Sequence, residues 1–202
     1  MSNAFSMALT VGLALALAAP AVSQSTDVVG RLSVHAQAGV TTDPGGFDVL
    51  RATTFDIGAQ YGGGFTYVLF PNIGVRGDFT YAPNTGREDC CAANPGAVVE
   101  DVSLDRMYAS MSLQIRFPMG AAVPYLRAGG GFVDLERFGE NYEYRFTEFA
   151  GLLAAGLEYP LGQSRVSVFV DAAEWMYQRV STGESSQFDT QINVGLSYDL
   201  VR

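Results

Sequence analysis

Asp189-Thr-Gln-Ile-Asn-Val-Gly-Leu-Ser-Tyr-Asp199, followed by Leu200, alternates almost without a fault. Thr190, Ile192, Val194, Leu196, Tyr198 and Leu200 share one parity. Asp189, Gln191, Asn193, Gly195, Ser197 and Asp199 share the other. Successive side chains of a strand point to opposite faces, so this strand has one face in an apolar medium and the other among polar groups. The same two-sided pattern recurs upstream, near 31–41, 54–69, 73–82, 104–117, 123–137, 145–159 and 165–177.

Composition agrees with strands rather than helices. Hydrophobic residues make up 48% of the 202 and charged residues only 16%, below the usual quarter. Beyond the first 25 residues no apolar run approaches the ~20 residues that a spanning helix needs. The hydrophobicity is therefore distributed with period two. The net charge is −9, and all 12 basic residues are Arg. An acidic chain argues against nucleic acid as a partner, because phosphates demand a basic surface. Arg without Lys reflects genome composition or buried ion pairing, for which the planar guanidinium is suited.

Residues 1–23 read as an export signal and 24–202 as one barrel domain. The apolar core 7–19 is followed by small residues at Ala19, Ala21 and Ser23, with cleavage expected between Ala21 and Gln24. The segment before the core has no Lys or Arg, so only the amino terminus supplies positive charge there.

The connections alternate in length. Pro71-Asn72, 118–122 and 160–164 are short and turn-like. The segments near 42–53, 83–103, 138–144 and 178–187 are mostly longer and more polar. Short periplasmic turns opposite long extracellular loops are the asymmetry of outer-membrane barrels. A soluble barrel also alternates, with its apolar face inside, so the choice of face needs further observations. One face carries aromatic residues near strand ends: Phe55, Tyr67, Phe79, Tyr81, Phe117, Phe132, Phe149, Tyr159, Phe188 and Tyr198. Such rings suit bilayer interfaces. The other face carries mid-strand charges of both signs, and an Arg facing lipid at the midplane costs roughly 2–4 kcal/mol. The expected fold is all-β, an eight-stranded antiparallel up-and-down transmembrane barrel with greasy side chains outward. Trp175 breaks the parity of its strand, and a bulge near Ala173-Glu174 is expected to return it to the interface.

On these features the chain resembles the eight-stranded outer-membrane β-barrel superfamily, which includes OmpA-type transmembrane domains, over about 31–200. The sharpest local mark is Asn193-Val-Gly195-Leu-Ser-Tyr198-Asp-Leu200. It is similar to the family's C-terminal assembly signal: a polar residue, Gly two places on, then hydrophobics at the third and fifth places after it. The family often ends in Phe, whereas this chain continues to Val201-Arg202. The resemblance implies the outer membrane of a Gram-negative bacterium, with outer-membrane lipid and lipopolysaccharide as surroundings and the barrel-assembly machinery as a partner through the last strand.

A barrel of eight strands encloses a space that side chains can fill. The inward charges are Arg31, His35, Asp56, Arg76, Asp78, Arg106, Arg116, Arg127, Glu148, Glu158 and Asp171. Buried charges must be paired and hydrogen-bonded, so a chain of Arg–carboxylate contacts is expected along the axis. It forms either a nonconducting plug or a narrow gated path, and the plug is preferred. Gly58, Gly62, Gly64, Gly129 and Gly131 share the inward parity. They make room for Arg, allow bends, or leave a water-filled cavity.

Ser33 and His35 share one face, and with an acid they would compose an acyl-transfer site. No acid partner is defined in the sequence, and a hydrogen-bonded lumen His is the plainer expectation. Cys90-Cys91, the only cysteines, sit in the 83–103 segment. In an oxidising compartment a loop-stiffening disulfide is expected, with intermolecular pairing as the alternative. Further soft metal ligands are not visible near them, and neither metal nor cofactor is expected. Acidic loop residues (Glu88, Asp89, Glu100, Asp101, Glu140, Glu143, Glu184) form a solvated surface or a divalent-cation bridge to lipopolysaccharide. The expected function is a non-enzymatic integral outer-membrane protein with a structural or surface-interaction role. A small porin or OmpW-like path for small or apolar solutes is the alternative, and a lipid-A-modifying enzyme stands third.

Overall fold

The computed structural model describes residues 29–42, 52–55, 57–89, 99–139, 142–162, 164–177 and 187–201. The expected export signal, Asp56 and Cys90-Cys91 lie outside them. The strands are β1 (Leu32–Thr42), β2 (Ala52–Phe55), β3 (Gly58–Phe70), β4 (Ile73–Asp89), β5 (Val99–Arg116), β6 (Val123–Gly139), β7 (Tyr142–Pro160), β8 (Val166–Tyr177) and β9 (Gln187–Val201). Each of β3 to β9 pairs antiparallel with its sequence neighbour, and β1 pairs with both β3 and β9, which closes the ring. The staves number eight because β2 and β3 both pair with β4 as one interrupted stave, from Phe55↔Gly86 to Tyr61↔Tyr81.

Lipid-facing residues define a belt over 32–40, 59–69, 73–81, 107–117, 124–132, 149–159, 166–172 and 192–200. Most of these spans fit the ~9–11 residues that a tilted strand needs to cross a bilayer. The faces are assigned as the alternation requires: Val194 and Leu196 are 56% and 55% exposed, whereas Arg106, Arg116 and Arg127 are 0%, 5% and 5% exposed. At one end, turns of a few residues join the strands, and Gly120 and Gly162 adopt φ of +63° there, a left-handed conformation that glycine adopts without cost.

At the other end the strands run past the belt. Of the expected long loops, 83–89 and 99–103 are paired strand, in register from Pro83↔Asp105 to Asp89↔Val99. The 138–144 loop is likewise a hairpin, paired to Gly139↔Tyr142. Pairing needs only backbone partners, while an outward apolar face needs an apolar medium beside it. The pattern therefore stops at the membrane edge and the sheet continues.

Beyond that edge the polarity inverts. On β6, Phe132 faces out in the belt; then Val133 and Leu135 turn inward while Asp134 and Glu136 face out. The outer storey is built like a small soluble barrel. Its core includes Leu104, Tyr108, Val133, Leu135, Leu152 and Trp175, all buried.

This inversion corrects the expectation for Trp175. The β7–β8 and β8–β9 ladders run without a register shift through Ala173-Glu174, so no bulge forms. Trp175 is 3% exposed and points inside, its ring 4.9 Å from that of Tyr108. As the chain's only Trp, it is expected to give a blue-shifted emission that brominated acyl chains do not quench. Strong quenching would place it back at the lipid interface.

Candidate functional site: the lumen

The lumen is filled in layers. Nearest the short turns, Arg31 at the mouth of β1 pairs with Glu158 of β7 at 3.1 Å and with Asp199 of β9 at 3.0 Å. Arg116 of β5 reaches the second oxygen of Glu158 at 2.8 Å. One carboxylate thus holds two guanidiniums from opposite sides of the barrel.

The next layer centres on Arg127 of β6. It donates to Asp78 of β4 at 2.6 Å and to Asp171 of β8 at 2.7 Å. Arg76 contacts the same two carboxylates, Asp78 at 3.0 Å and Asp171 at 3.7 Å. It also donates to Gln37 at 3.0 Å and stacks its guanidinium 4.7 Å from the centre of the Phe169 ring. Tyr125 and Asn193 donate the remaining hydrogen bonds to Asp171, at 3.2 Å and 3.1 Å. Across both layers four guanidiniums face four carboxylates, so the charges of these eight side chains balance.

His35 acquires the acid partner that the sequence left undefined. Its Nε2 donates to Asp78 Oδ1 at 2.9 Å, and its ring meets Phe169 edge-on at 5.6 Å. The same Asp78 is already held by Arg76 and Arg127. Ser33 and His35 do line a common space, but it measures about 20 Å³, room for about one water molecule.

Farther out, Asp189 accepts hydrogen bonds from Tyr108 at 2.7 Å and Tyr177 at 3.1 Å, with Arg106 at 3.8 Å. Above it stands the apolar core. Glu148 faces inward, half-buried, without an ion pair among the described residues. The structure thus brings together Arg31, His35, Arg76, Asp78, Arg116, Arg127, Glu158 and Asp171, and sets Arg106 in a separate outer layer. The sequence reading did not single out Asp189, Tyr125, Phe169 or Asp199 as partners. Asp189 and Asp199 were legible from the parity of β9 alone.

At four of the five inward glycines, Gly62, Gly64, Gly129 and Gly131, backbone of the neighbouring strand fills the place of a side chain. A Cβ at Gly64 would lie 1.9 Å from the Gly77 carbonyl oxygen, and one at Gly131 would lie 1.9 Å from that of Ala109. At these two corners the neighbouring strand approaches too closely for any side chain.

On the outer surface the first polar residues beyond the belt are paired with each other. Asp134 accepts from Arg145 at 2.7 Å and from Thr147 at 2.9 Å, and the Arg145 hydrogen bond holds its carboxyl below the usual range.

Strand Asn193–Leu200 closes the barrel against β1, with Gly195 opposite Gln37 and Tyr198 opposite Val34. Tyr198 and Leu200 face outward.

Comparisons with known proteins agree with this architecture. No curated protein matches the chain. Among solved structures it is similar to Neisserial surface protein A (NspA), with a TM-score of 0.60 at 14% identity over 84% of this chain and 97% of that one. It is also similar to the outer membrane protein OprG of Pseudomonas aeruginosa, with a TM-score of 0.52 at 16% identity over 86% and 97%. At these identities the likeness is one of fold. The model of the outer membrane protein beta-barrel domain matches residues 7–199, and the chain belongs to that family of Gram-negative outer-membrane proteins.

Proposed function

We propose that this protein is a non-enzymatic, nonconducting outer-membrane barrel whose work is done by its outer storey and the extracellular connections above it. The observation that carries this reading is the double closure of the lumen. An ion has to pass a layer in which Arg127 bridges Asp78 and Asp171 and then an apolar core around Trp175. Buried ion pairs resist opening because removing one partner strands a charge, and an apolar constriction excludes ions by dewetting.

A catalytic role finds less support. The Ser33–His35–Asp78 grouping resembles an acyl-transfer triad in composition. Ser33 and His35 share only about 20 Å³ of space, and Asp78 is committed to two guanidiniums. The barrel-assembly machinery as a partner rests on the Asn193–Leu200 resemblance alone.

The test is single-channel recording of the purified protein in a planar bilayer. The expected trace is silent. Steady openings at modest voltage would favour the small-porin reading. His35→Ala is expected to leave the lipid-A profile of the producing cell unchanged.

A further inference from the structure

The outer wall carries a hollow that the packing of the lumen does not require. On the lipid-facing side of β3 to β6, small and large residues alternate in both directions. Gly63, Phe79, Ala109 and Phe132 lie side by side in register. One step toward the short turns come Phe65, Gly77, Met111 and Gly130. The small residues form the floor, with Phe65 and Met111 leaning over Gly77 and the Phe149 ring over Gly130. Phe79, Phe132 and Phe149 wall it on the outer side, and Phe65 and Met111 on the other, enclosing a groove of about 450 Å³. Gly64 and Gly131, where the neighbouring strands approach most closely, also line the groove.

We propose that this groove is a binding site for one acyl chain of an outer-membrane lipid, with the lipid headgroup at the Asp134–Thr147–Arg145 cluster. Three observations select a single chain. First, the groove is continuous with the apolar belt that already contacts the bilayer, so its occupant arrives from the lipid phase. Second, its volume of about 450 Å³ lies within the usual range for ligand pockets, and its lining is almost wholly apolar. Third, it is concave. A second barrel related by a two-fold axis would set hollow against hollow and leave both floors uncovered, whereas a flexible methylene chain follows the floor. The polar rim completes an amphipathic site. Asp134 and Thr147 occupy the next outward positions beyond Phe132 and Phe149, opposite each other in register, and the Arg145 side chain is 60% exposed beside them.

The test fills the groove without touching the lumen. Ala109 faces lipid, so Ala109→Leu raises the floor while leaving every ion pair in place. Ala128→Leu, also lipid-facing but outside the groove, is the control. Gly130→Ala is the milder second variant, because its methyl meets only the Phe149 ring at 3.0 Å and the Ala150 carbonyl at 3.1 Å. The full-length barrel is reconstituted in phosphatidylethanolamine bilayers containing a small fraction of lipid spin-labelled near the end of one acyl chain. Electron spin resonance then counts immobilised chains per barrel. Loss of about one immobilised chain in Ala109→Leu, a smaller loss in Gly130→Ala and none in Ala128→Leu is the expected result. Equal counts in all four proteins would overturn the site. So would cross-linked dimers in the wild type that vanish in Ala109→Leu, since the occupant would then be a second copy of the chain.

Discussion

Arg127→Ala is expected to destabilise the folded barrel by about 3–5 kcal/mol, the usual cost of removing one partner from a buried charge cluster. The magnitude follows from what remains. Arg127 is the shortest ion-pair contact of both Asp78 and Asp171, at 2.6 Å and 2.7 Å. Without it two buried carboxylates face the single guanidinium of Arg76. The measurement is equilibrium unfolding in urea with lipid vesicles, followed through Trp175. Two companions separate charge imbalance from lost volume. Arg127→Met keeps much of the bulk and should be nearly as damaging as Ala. Adding Asp78→Asn to Arg127→Met restores one guanidinium to one carboxylate, through the Arg76–Asp171 pair, and should recover much of the loss. Arg145→Ala, at an exposed pair, should cost no more than about 1 kcal/mol. Equal losses for Arg127→Ala and Arg145→Ala would remove the ion-paired layer from the account of stability.

The sequence exposed the membrane-spanning storey well, and the reason is the solvent. Between two media of opposite polarity each residue is forced to declare a face, so Ile192, Val194 and Leu196 on one side and Gln191, Asn193 and Gly195 on the other read directly as out and in. The same force made Arg76, Asp78, Arg116, Arg127, Glu158 and Asp171 legible as lumen residues. It did not reveal who pairs with whom. Partners such as Arg127 and Asp171 lie 44 residues apart, and their contact depends on barrel curvature and strand stagger, which parity does not encode.

Above the membrane the reading was least reliable, also for a physical reason. With water outside, the apolar side chains belong within, so the hydrophobic parity reverses at the edge. Val133-Asp134-Leu135 on β6 and Ala173-Glu174-Trp175 on β8 both carry that reversal. Read with one rule for the whole strand, the reversal at Ala173-Glu174-Trp175 looks like a bulge. Read as a change of solvent, the same residues place Trp175 and Leu135 inside an apolar core and extend the strands past the bilayer.

Trp175→Ala tests that outer core and, with it, the idea of two barriers in series. Truncating a buried Trp ordinarily costs about 3–5 kcal/mol, and Trp175 sits against Tyr108 at 4.9 Å within the cluster formed by Leu104, Val133, Leu135 and Leu152. Urea unfolding, followed by circular dichroism because the fluorophore is gone, should show a loss in that range. Conductance should respond differently. Removing Trp175 opens only the outer barrier and leaves Arg127 bridging Asp78 and Asp171 below it, so the single variant should remain silent. Arg127→Ala opens only the inner barrier and leaves the apolar core, so it too should remain silent. Two closures in series fail only together. The double variant, provided it folds, should therefore show openings that neither single change produces. Steady conductance from Trp175→Ala alone would mean that the ionic layer does not block ions, and the two-barrier description would fall.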